Sequence, residues 1–258
     1  MGGTALRRLL RLPEGPPDEV TGVTLDSRRV RPGDLYAALP GFSTHGARFA
    51  AMAVESGAAG ILTDRVGADL IVAAGGSGVP VLVVDDPRAV LGVVSAGVYG
   101  RPADRLRTTG ITGTNGKTTA SYLLDAALRA GGHTTGLIGT VATQVGDLVL
   151  PATRTTPEAP DLHALLALMV QRGATAVTME VSSHALALGR VDGVLFDLAV
   201  FTNLSQDHLD FHGDMESYFA AKADLFTASR AASGLVCVDD RWGRRLLDVA
   251  DIPVTTYA

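Results

Sequence analysis

The sequence predicts an α/β protein, with a small N-terminal α/β domain followed by a larger domain whose sheet is mainly parallel. Short apolar runs alternate with segments of helical spacing along most of the 258 residues. Glycine- and proline-rich turns separate these runs, and apolar residues make up 47% of the chain, enough for a sizeable core. Strand–helix alternation of this kind is typical of parallel sheets covered by helices.

The first domain is predicted to span residues 1–103. Helical spacing predicts helices over 47–56, ending at Gly57, and over 87–99. Short apolar runs between turn residues predict strands at 20–25, 34–39, 61–63 and 79–84. The segment 100–104, Gly-Arg-Pro-Ala-Asp, interrupts both patterns and therefore marks the domain boundary.

The second domain is predicted to span residues 104–258. Strands are expected at 106–112, 135–138, 174–181, 198–202, 235–238 and 252–257. Helices are expected at 117–130, 159–172, 215–227 and 241–249. A hairpin is expected over 141–150, around Gly146-Asp147.

Composition and charge exclude several classes of function. A net charge of −5 and a pI near 5.6 argue against a nucleic-acid partner. The single cysteine, Cys237, excludes a disulfide scaffold and a multi-cysteine zinc site. The uncharged apolar run of residues 70–84 is too short to span a membrane. Because Arg7, Arg8 and Arg11 interrupt the N-terminal leucines, we expect no secretory signal, no membrane partner and a cytoplasmic location. The oligomeric state is not predicted.

The distribution of basic residues is unusual. Of 22 basic residues, only Lys117 and Lys222 are lysine. A lysine kept among so many arginines can act as a compact point charge or lose its proton, which arginine cannot. A coding bias that leaves two lysines by chance explains the count equally well.

A glycine-rich turn between a predicted strand and a predicted helix is the strongest local motif. It comprises residues 109–119, Thr-Gly-Ile-Thr-Gly-Thr-Asn-Gly-Lys-Thr-Thr. Backbone N–H groups of such a turn bind phosphate oxygens, Lys117 would reach the terminal phosphates, and the Thr118 hydroxyl would hold Mg²⁺. Ile111 occupies the first glycine position of the standard phosphate loop, so the motif is a variant of it. The second domain is therefore predicted to be a P-loop-type ATP-binding domain.

Residues 112–119 resemble the ATP loop of the Mur ligases, which build the peptide of peptidoglycan, and of related polyglutamate and cyanophycin synthetases. Two later runs, 179–186 and 207–226, resemble the Mur ligase branch that adds the third residue to UDP-N-acetylmuramoyl-L-alanyl-D-glutamate. Taken singly, their residues have structural explanations. Glu180 could cap a helix, and His184 and His212 could be histidines of the core. Asp207 and Asp210 could be solvated charges, and Lys222 could be a surface lysine.

The resemblance implies a role for each matching residue. ATP would be bound by the loop residues Gly113, Thr114, Asn115, Gly116, Lys117, Thr118 and Thr119. Lys117, Glu180, His208 and Lys222 would be catalytic, and Thr118, Glu180, His208 and Lys222 would hold Mg²⁺. Lys222 matches a lysine that CO₂ carbamylates in this family, which converts a cation into an oxygen ligand. The muramoyl-peptide would contact Arg154, Thr155, Thr156, Ser182 and Arg190.

Two positions depart from many members of the family. Arg154 stands where asparagine is common, and Leu188 stands where glutamine is common. Both positions contact the muramoyl-peptide in those members. Leu188 cannot form a side-chain hydrogen bond, so that contact is not carried over to this chain.

The first domain resembles the UDP-binding domain of the same ligases over residues 24–36 and 41–46. This implies that the UDP end of the substrate contacts Leu25, Ser27, Phe42, Ser43 and Thr44. An ordinary Asp-Ser-Arg turn is the alternative for residues 26–28. The Asp-Asp-Pro-Arg run at 85–88 is predicted to end a strand and begin a helix, not to bind an amino acid.

The resemblance runs from about residue 20 to 257, whereas full members of the family have a further domain that binds the incoming amino acid. We therefore expect a C-terminally incomplete ATP domain, a chain with little activity alone, and an added residue, diaminopimelate or lysine, that the sequence does not identify. Two alternatives remain: another Mur-type or P-loop ATP-dependent enzyme, and a non-catalytic nucleotide-binding module.

Overall fold

The computed structural model of the protein describes residues 19–258, which form two compact units. One contains the chain up to Arg101 together with Ala159–Ala164, and the other contains Pro102–Glu158 and Leu165–Ala258. The arginines at positions 7, 8 and 11 lie outside the described residues. No helix within residues 19–258 combines the length and the apolar character needed to cross a bilayer.

The first unit is built on a four-stranded parallel sheet. Its strands, in chain order and in order across the sheet, are β1 (Gly22–Thr24), β2 (Asp34–Ala37), β3 (Gly60–Thr63) and β4 (Val81–Val83). Its helices are α1 (Ala50–Glu55), α2 (Arg65–Ala73) and α3 (Pro87–Val98). Alternate residues of β2 supply the two cores: Leu35 packs in one and Tyr36 in the other, as expected for a strand buried on both faces.

Helix α2 was not predicted from the sequence, because it is short and follows β3 after a single residue, Asp64. The structure begins this helix with a side-chain cap, since Asp64 accepts a hydrogen bond from the Gly67 N–H at 2.7 Å. The predicted start of a helix at the 85–88 run is confirmed: α3 begins at Pro87, and Asp86 caps it.

The second unit is built on an eight-stranded sheet. Its strands in chain order are β5 (Arg107–Thr112), β6 (Thr135–Ile138), β7 (Ala142–Val145), β8 (Leu148–Pro151), β9 (Ala176–Glu180), β10 (Leu198–Phe201), β11 (Gly234–Cys237) and β12 (Val254–Tyr257). Their order across the sheet is β12-β11-β10-β5-β9-β6-β7-β8. The strands from β12 to β6 are parallel, and β7 and β8 form the predicted antiparallel hairpin. The predicted α/β class with a mainly parallel sheet is confirmed.

The helices of the second unit differ from the prediction in two respects. They are α4 (Lys117–Ala130), α5 (Ala159–Gln171), α6 (Ser183–Ala187), α7 (Leu209–His212), α8 (Met215–Ala223) and α9 (Arg241–Val249), and the first six residues of α5 belong to the first unit. The predicted helix over 215–227 is too long, because the chain tightens into a 3₁₀ turn at Asp224–Phe226. Helices α6 and α7 were not predicted, since four or five residues carry too little periodicity.

The sheet order places one strand at the point where the chain changes direction. After β5 the chain continues to β6 and then β9 on one side, and it returns to β10 on the other. The carboxyl ends of β5, β9 and β10 therefore border one crevice, which is where parallel sheets bind ligands.

Gly243 in α9 packs against the end of β11, which generates a stability prediction. A Cβ atom added at Gly243 would lie 1.8 Å from the Cys237 carbonyl oxygen. An alanine normally stabilises a helix relative to glycine, but here the backbone must shift. We expect Gly243→Ala to lower the free energy of unfolding by about 1–3 kcal/mol in urea unfolding followed by circular dichroism.

Asp248→Ala changes an exposed position on the same helix and provides the control. Its free energy of unfolding should stay within about 0.5 kcal/mol of the parent value. A Gly243→Ala variant at least as stable as the parent chain would contradict the close packing of α9 on β11.

Candidate functional site

The glycine-rich turn lies between the end of β5 and the start of α4. Gly113 and Gly116 have φ angles of +146° and +84°, a backbone conformation that favours glycine. A Cβ atom at Gly113 would also lie 2.0 Å from the Thr202 hydroxyl oxygen. Gly116 is the N-cap of α4 and supplies no side chain to its first N–H groups. These N–H groups remain free to bind an anion, as the phosphate-loop prediction requires.

Residues after β10 hold the turn in place. The Asn115 N–H donates to the Asn203 side-chain oxygen at 3.0 Å, and the Thr202 hydroxyl donates to the Asn115 carbonyl at 2.7 Å. The Thr114 N–H donates to the Asn203 carbonyl at 2.9 Å. The Thr114 hydroxyl lies 3.2 Å from the Tyr218 hydroxyl. The loop is therefore fixed before any ligand arrives, which favours tight phosphate binding.

Both lysines of the chain reach the same backbone oxygen. The Nζ atoms of Lys117 and Lys222 donate to the Gly113 carbonyl at 2.8 and 2.9 Å, and Lys117 also donates to the Thr114 carbonyl. Lys222 is 1% exposed, and its Nζ lies 4.7 Å from the centre of the Tyr218 ring. Two residues that are 105 positions apart in sequence thus place two amines at the centre of the phosphate loop.

This pairing shifts the basicity of both amines. Burial, followed by repulsion from Lys117, lowers the pKa of Lys222 to about 7. Burial also lowers the pKa of Lys117, while the carboxylates of Glu180 and Asp207 oppose that change. Lys222 can therefore be deprotonated near neutral pH, which makes its amine a nucleophile.

Glu180, at the end of β9, is a buried carboxylate with several donors. It is 1% exposed and accepts from the Thr118 hydroxyl at 2.9 Å. The Thr140 N–H and hydroxyl donate to its two oxygens at 2.9 and 3.2 Å. Gly139 allows the close approach, since a Cβ atom there would lie 2.4 Å from Glu180 Oε1.

The loop over residues 154–156 is attached to the end of β9. The buried Thr156 hydroxyl donates to the Glu180 carbonyl at 2.9 Å and accepts from the Ser182 N–H at 3.1 Å. Thr155 Oγ1 lies 3.0 Å from Thr140 Oγ1, whereas Arg154 is exposed. Three of the five residues predicted to contact the muramoyl-peptide therefore lie around the Glu180 carboxylate and its backbone.

Arg190 is held by an ion pair. Its Nε lies 2.9 Å from Glu158 Oε1, and both side chains are less than one-fifth exposed. Glu158 is the N-cap residue of α5.

His208 is in a different environment from the other predicted metal-binding residues. Its φ angle is +51°, and its ring packs 4.8 Å from His184, centre to centre. Its Nε2 lies 3.6 Å from Asp207 Oδ2. Within residues 19–258, His208 makes no hydrogen bond to Thr118, Glu180 or Lys222, and no group of three His, Cys, Asp or Glu residues converges on a metal position. Of the predicted metal-binding residues, the structure therefore brings Thr118 and Glu180 into contact and leaves His208 without a hydrogen bond to either.

Two histidine rings, those of His208 and His212, pack around His184. His212 Nε2 is hydrogen-bonded to the Ser183 hydroxyl at 2.9 Å. The centre of the His212 ring lies 5.5 Å from the centre of the His184 ring. Burial, together with the neighbouring imidazoles, lowers the pKa of both His184 and His212. Both are therefore neutral packing partners at neutral pH.

The residues predicted to contact UDP lie in the first unit. Leu25 is partly buried against the core. Ser27 is 6% exposed, and its hydroxyl lies 3.5 Å from the Met52 sulfur. Phe42, Ser43 and Thr44 form an exposed turn closed by a hydrogen bond from the Gly41 N–H to the Thr44 carbonyl at 3.1 Å. The turn is open to a ligand, and the Ser27 hydroxyl is largely covered.

Sequence reasoning missed Thr140, Asn203 and Tyr218. Tyr218 lies four residues before Lys222 on α8, so helical spacing could have indicated that their side chains meet. Thr140 and Asn203 follow the ends of β6 and β10, where parallel sheets place functional groups. No single-residue pattern distinguishes them from ordinary loop residues.

Comparison with known proteins identifies the family of this chain. Residues 111–258 match the family model described as the Mur ligase middle domain, and residues 19–99 match the model described as Mur ligase family, catalytic domain. The chain belongs to the Mur ligase family, as the phosphate loop and the two later runs predicted.

Relatives from three actinobacteria are similar over most of the chain. UDP-N-acetylmuramoyl-L-alanyl-D-glutamate–2,6-diaminopimelate ligases are 57% identical in Streptomyces avermitilis and 51% identical in Corynebacterium glutamicum, over 93% and 90% of this chain. The UDP-N-acetylmuramyl-tripeptide synthetase of Leifsonia xyli is 50% identical over 93%. The matches cover 47%, 45% and 46% of those proteins, so the chain spans about half the length of the curated relatives it matches.

Solved structures have the same fold. A UDP-N-acetylmuramoyl-L-alanyl-D-glutamate–2,6-diaminopimelate ligase superposes with a TM-score of 0.79 at 28% identity, over 98% of this chain and 52% of that one. The MurF ligase of Thermotoga maritima, in complex with ADP, superposes with a TM-score of 0.60 at 20% identity, over 92% and 50%. Because the MurF ligase is only 20% identical to this chain, that similarity concerns the fold alone.

The presence of only two lysines makes the predicted basicity directly measurable. In protein labelled with ¹³C at the lysine ε-carbon, two resonances should titrate separately, and that of Lys222 should have a midpoint near pH 7. Lys117→Met removes the neighbouring charge, so the Lys222 midpoint should move to higher pH. A Lys222 midpoint near 10.5 in the parent chain would contradict the buried pair.

The buried amine should also affect stability in a pH-dependent way. Folded Lys222 loses its proton near pH 7, whereas the unfolded chain keeps it up to about pH 10.5. The contribution of Lys222 to the free energy of unfolding therefore rises as the pH increases from about 7 to about 10.5. We expect Lys222→Met to raise the free energy of unfolding by about 1–4 kcal/mol at pH 6, with a smaller gain at pH 9.

Urea unfolding followed by the fluorescence of Trp242, the single tryptophan, measures this difference. Arg172→Met, at an exposed position in the same unit, is the control and should show no pH-dependent change. A gain in Lys222→Met that is equal at pH 6 and pH 9 would contradict the lowered pKa of Lys222.

Proposed function

We propose that this protein is an ATP-dependent ligase. In this proposal it adds the third amino acid to UDP-N-acetylmuramoyl-L-alanyl-D-glutamate during peptidoglycan synthesis. The observation that carries the proposal is the meeting of the phosphate loop, the buried Glu180 carboxylate and two lysine amines at the carboxyl ends of adjacent parallel strands. The named relatives at 50–57% identity support the substrate assignment.

The proposed reaction has two steps. The γ-carboxylate of the D-glutamyl residue attacks the γ-phosphorus of ATP, and ADP leaves, which gives an acyl phosphate. The amine of the incoming amino acid then attacks the acyl carbon, phosphate leaves, and the amine gives up a proton. The names of the relatives from Streptomyces and Corynebacterium support 2,6-diaminopimelate as that amino acid. ATP and the muramoyl dipeptide are soluble, which is consistent with a cytoplasmic location.

Lys117 and the turn would bind the ATP phosphates. In the structure the Lys117 amine contacts the carbonyls of Gly113 and Thr114, so it is already directed into the loop. The free N–H groups at the start of α4 would contact the phosphate oxygens. A positive charge at this position offsets the charge that develops during phosphoryl transfer.

The donors around Glu180 fit Mg²⁺. The Thr118 hydroxyl and Glu180 Oε2 are hard oxygen ligands 2.9 Å apart. Both are oxygen donors of the kind that Mg²⁺ prefers, and they lie side by side. Bound Mg²⁺ would supply charge neutralisation to the phosphates. Glu180 and Thr118 would hold the ion, and His208 would do so only after its side chain moves from its contact with Asp207.

Lys222 would serve as a carbamate. Its neutral amine would add to the carbon of CO₂ and release one proton, which gives an anionic oxygen donor. The lowered pKa of Lys222 supports this step, because only the free amine reacts. The negative carbamate would then lie beside the Lys117 cation, which removes the repulsion between the two lysines.

The remaining predicted residues would bind the acceptor. Thr155, Thr156, Ser182 and Arg190 would contact the muramoyl-peptide, with exposed Arg154 at the edge of the site. In the first unit, the UDP end would contact Leu25, Ser27 and the exposed turn over residues 42–44.

Thermal-shift titration with two ligands tests the proposal on the chain as it exists. ATP with Mg²⁺ and UDP-N-acetylmuramoyl-L-alanyl-D-glutamate should each raise the melting temperature. Lys117→Ala should abolish the response to ATP and keep the response to the muramoyl dipeptide, because the loop lysine contacts only the nucleotide.

Arg129→Ala, at an exposed position near the other end of α4, is the control and should keep both responses. A chain stabilised by ATP and unaffected by the muramoyl dipeptide would point to a generic nucleotide hydrolase. A chain stabilised by neither ligand would contradict the proposal.

A further inference from the structure

Thr140 stands between two parts of the candidate site. Its hydroxyl donates to Glu180 Oε2 at 3.2 Å, and its Oγ1 lies 3.0 Å from Thr155 Oγ1. Glu180 in turn accepts from the Thr118 hydroxyl at 2.9 Å. One continuous chain of hydrogen bonds therefore runs from the first turn of α4, through a carboxylate, to the loop over residues 154–156.

The number of hydroxyl protons fixes which group donates in each of these hydrogen bonds. A carboxylate only accepts hydrogen bonds, and each hydroxyl has one proton. Because the Thr140 proton points to Glu180, the contact between Thr140 and Thr155 uses the proton of Thr155. The Thr155 hydroxyl then has only lone pairs left for a ligand, so it can accept from an N–H or O–H group.

A ligand that donates a hydrogen bond to Thr155 strengthens the two hydrogen bonds that follow, from Thr155 to Thr140 and from Thr140 to Glu180. Hydrogen bonds in series polarise one another, so Thr155 becomes a better donor to Thr140, and Thr140 becomes a better donor to Glu180. The Glu180 carboxylate is then held more firmly beside Thr118. Binding free energies are reciprocal, so a ligand that orients Glu180 from the phosphate side improves the site at Thr155 equally.

We propose that Thr140 is a positioning residue that couples nucleotide binding at the phosphate loop to acceptor binding at Thr155. The inference rests on the proposed function, which supplies the two ligands. Thr140 is exposed, so its side chain has no role in the core. The preceding Gly139 brings the main chain against Glu180, so that the Thr140 N–H holds one carboxylate oxygen and the hydroxyl holds the other.

Thr140→Val removes the hydroxyl and keeps both the backbone donor and the branched shape. Isothermal titration calorimetry measures the Kd of ATP–Mg²⁺ with and without saturating UDP-N-acetylmuramoyl-L-alanyl-D-glutamate, and the Kd of the muramoyl dipeptide with and without ATP–Mg²⁺. In the parent chain each ligand should tighten the other about fivefold or more. In Thr140→Val this factor should fall below about twofold, while each ligand alone binds within about threefold of the parent value.

Thr140→Ser keeps the hydroxyl and should keep the coupling. Thr134→Val makes the same change at an exposed position beside the other end of β6, and it should behave as the parent chain. Thr140→Ala repeats the loss of the hydroxyl in case valine perturbs the turn.

Parent-like coupling in both Thr140→Val and Thr140→Ala would overturn the role of Thr140 and leave the proposed function intact. Two ligands that bind the parent chain independently would also overturn it. If the parent chain binds ATP–Mg²⁺ and ignores the muramoyl dipeptide, the proposed function fails, and the inference fails with it.

Discussion

The meeting of two lysine amines on the Gly113 carbonyl oxygen is the constraint on which the rest of the site depends. Two ammonium groups cannot both remain charged at 2.8 and 2.9 Å from one acceptor without a large electrostatic cost, and one of them is almost completely buried. The fold resolves this by lowering the pKa of Lys222 to about 7, with Lys117 as the second cause after burial. Lys117 and Lys222 therefore differ in basicity, although their side chains are identical.

The surrounding structure serves to hold those two amines in place. The loop requires glycine at position 113, where any side chain would meet Thr202, and residues after β10 fix the loop through Asn115. Tyr218 places its ring beside the Lys222 amine and its hydroxyl near Thr114. Burial outweighs the attraction of Asp207 for this amine, so Lys222 is unfavourable for folding and stability alone does not explain a lysine at this position.

The sequence predicted much of this site because its strongest features are local. The glycine turn before Lys117 and the placement of Glu180 after a strand follow from short-range pattern alone. The scarcity of lysine pointed to both amines, although it left a coding bias equally open. The family resemblance gave the roles, and family membership is now established by residues 19–99 and 111–258. The roles of individual residues remain predictions.

What the sequence could not predict depends on contacts between distant segments. Thr140 acquires its place only because β6 lies next to β9 in the sheet, 40 residues away along the chain. The shared carbonyl at Gly113 required α8 to pack beside the phosphate loop. Helix α2 was missed because it is short and its start depends on the Asp64 cap.

In the proposed site, Lys222 acts as an amine and Lys117 acts as a cation. Carbon-13 NMR of the chain with ¹³C-bicarbonate and Mg²⁺ tests this difference. We expect a carbamate resonance that is absent from Lys222→Arg because a guanidinium does not add CO₂, whereas any carbamate of the N-terminal amine should appear in both proteins. Identical carbamate resonances in the parent chain and in Lys222→Arg, or none in either, would contradict the assignment.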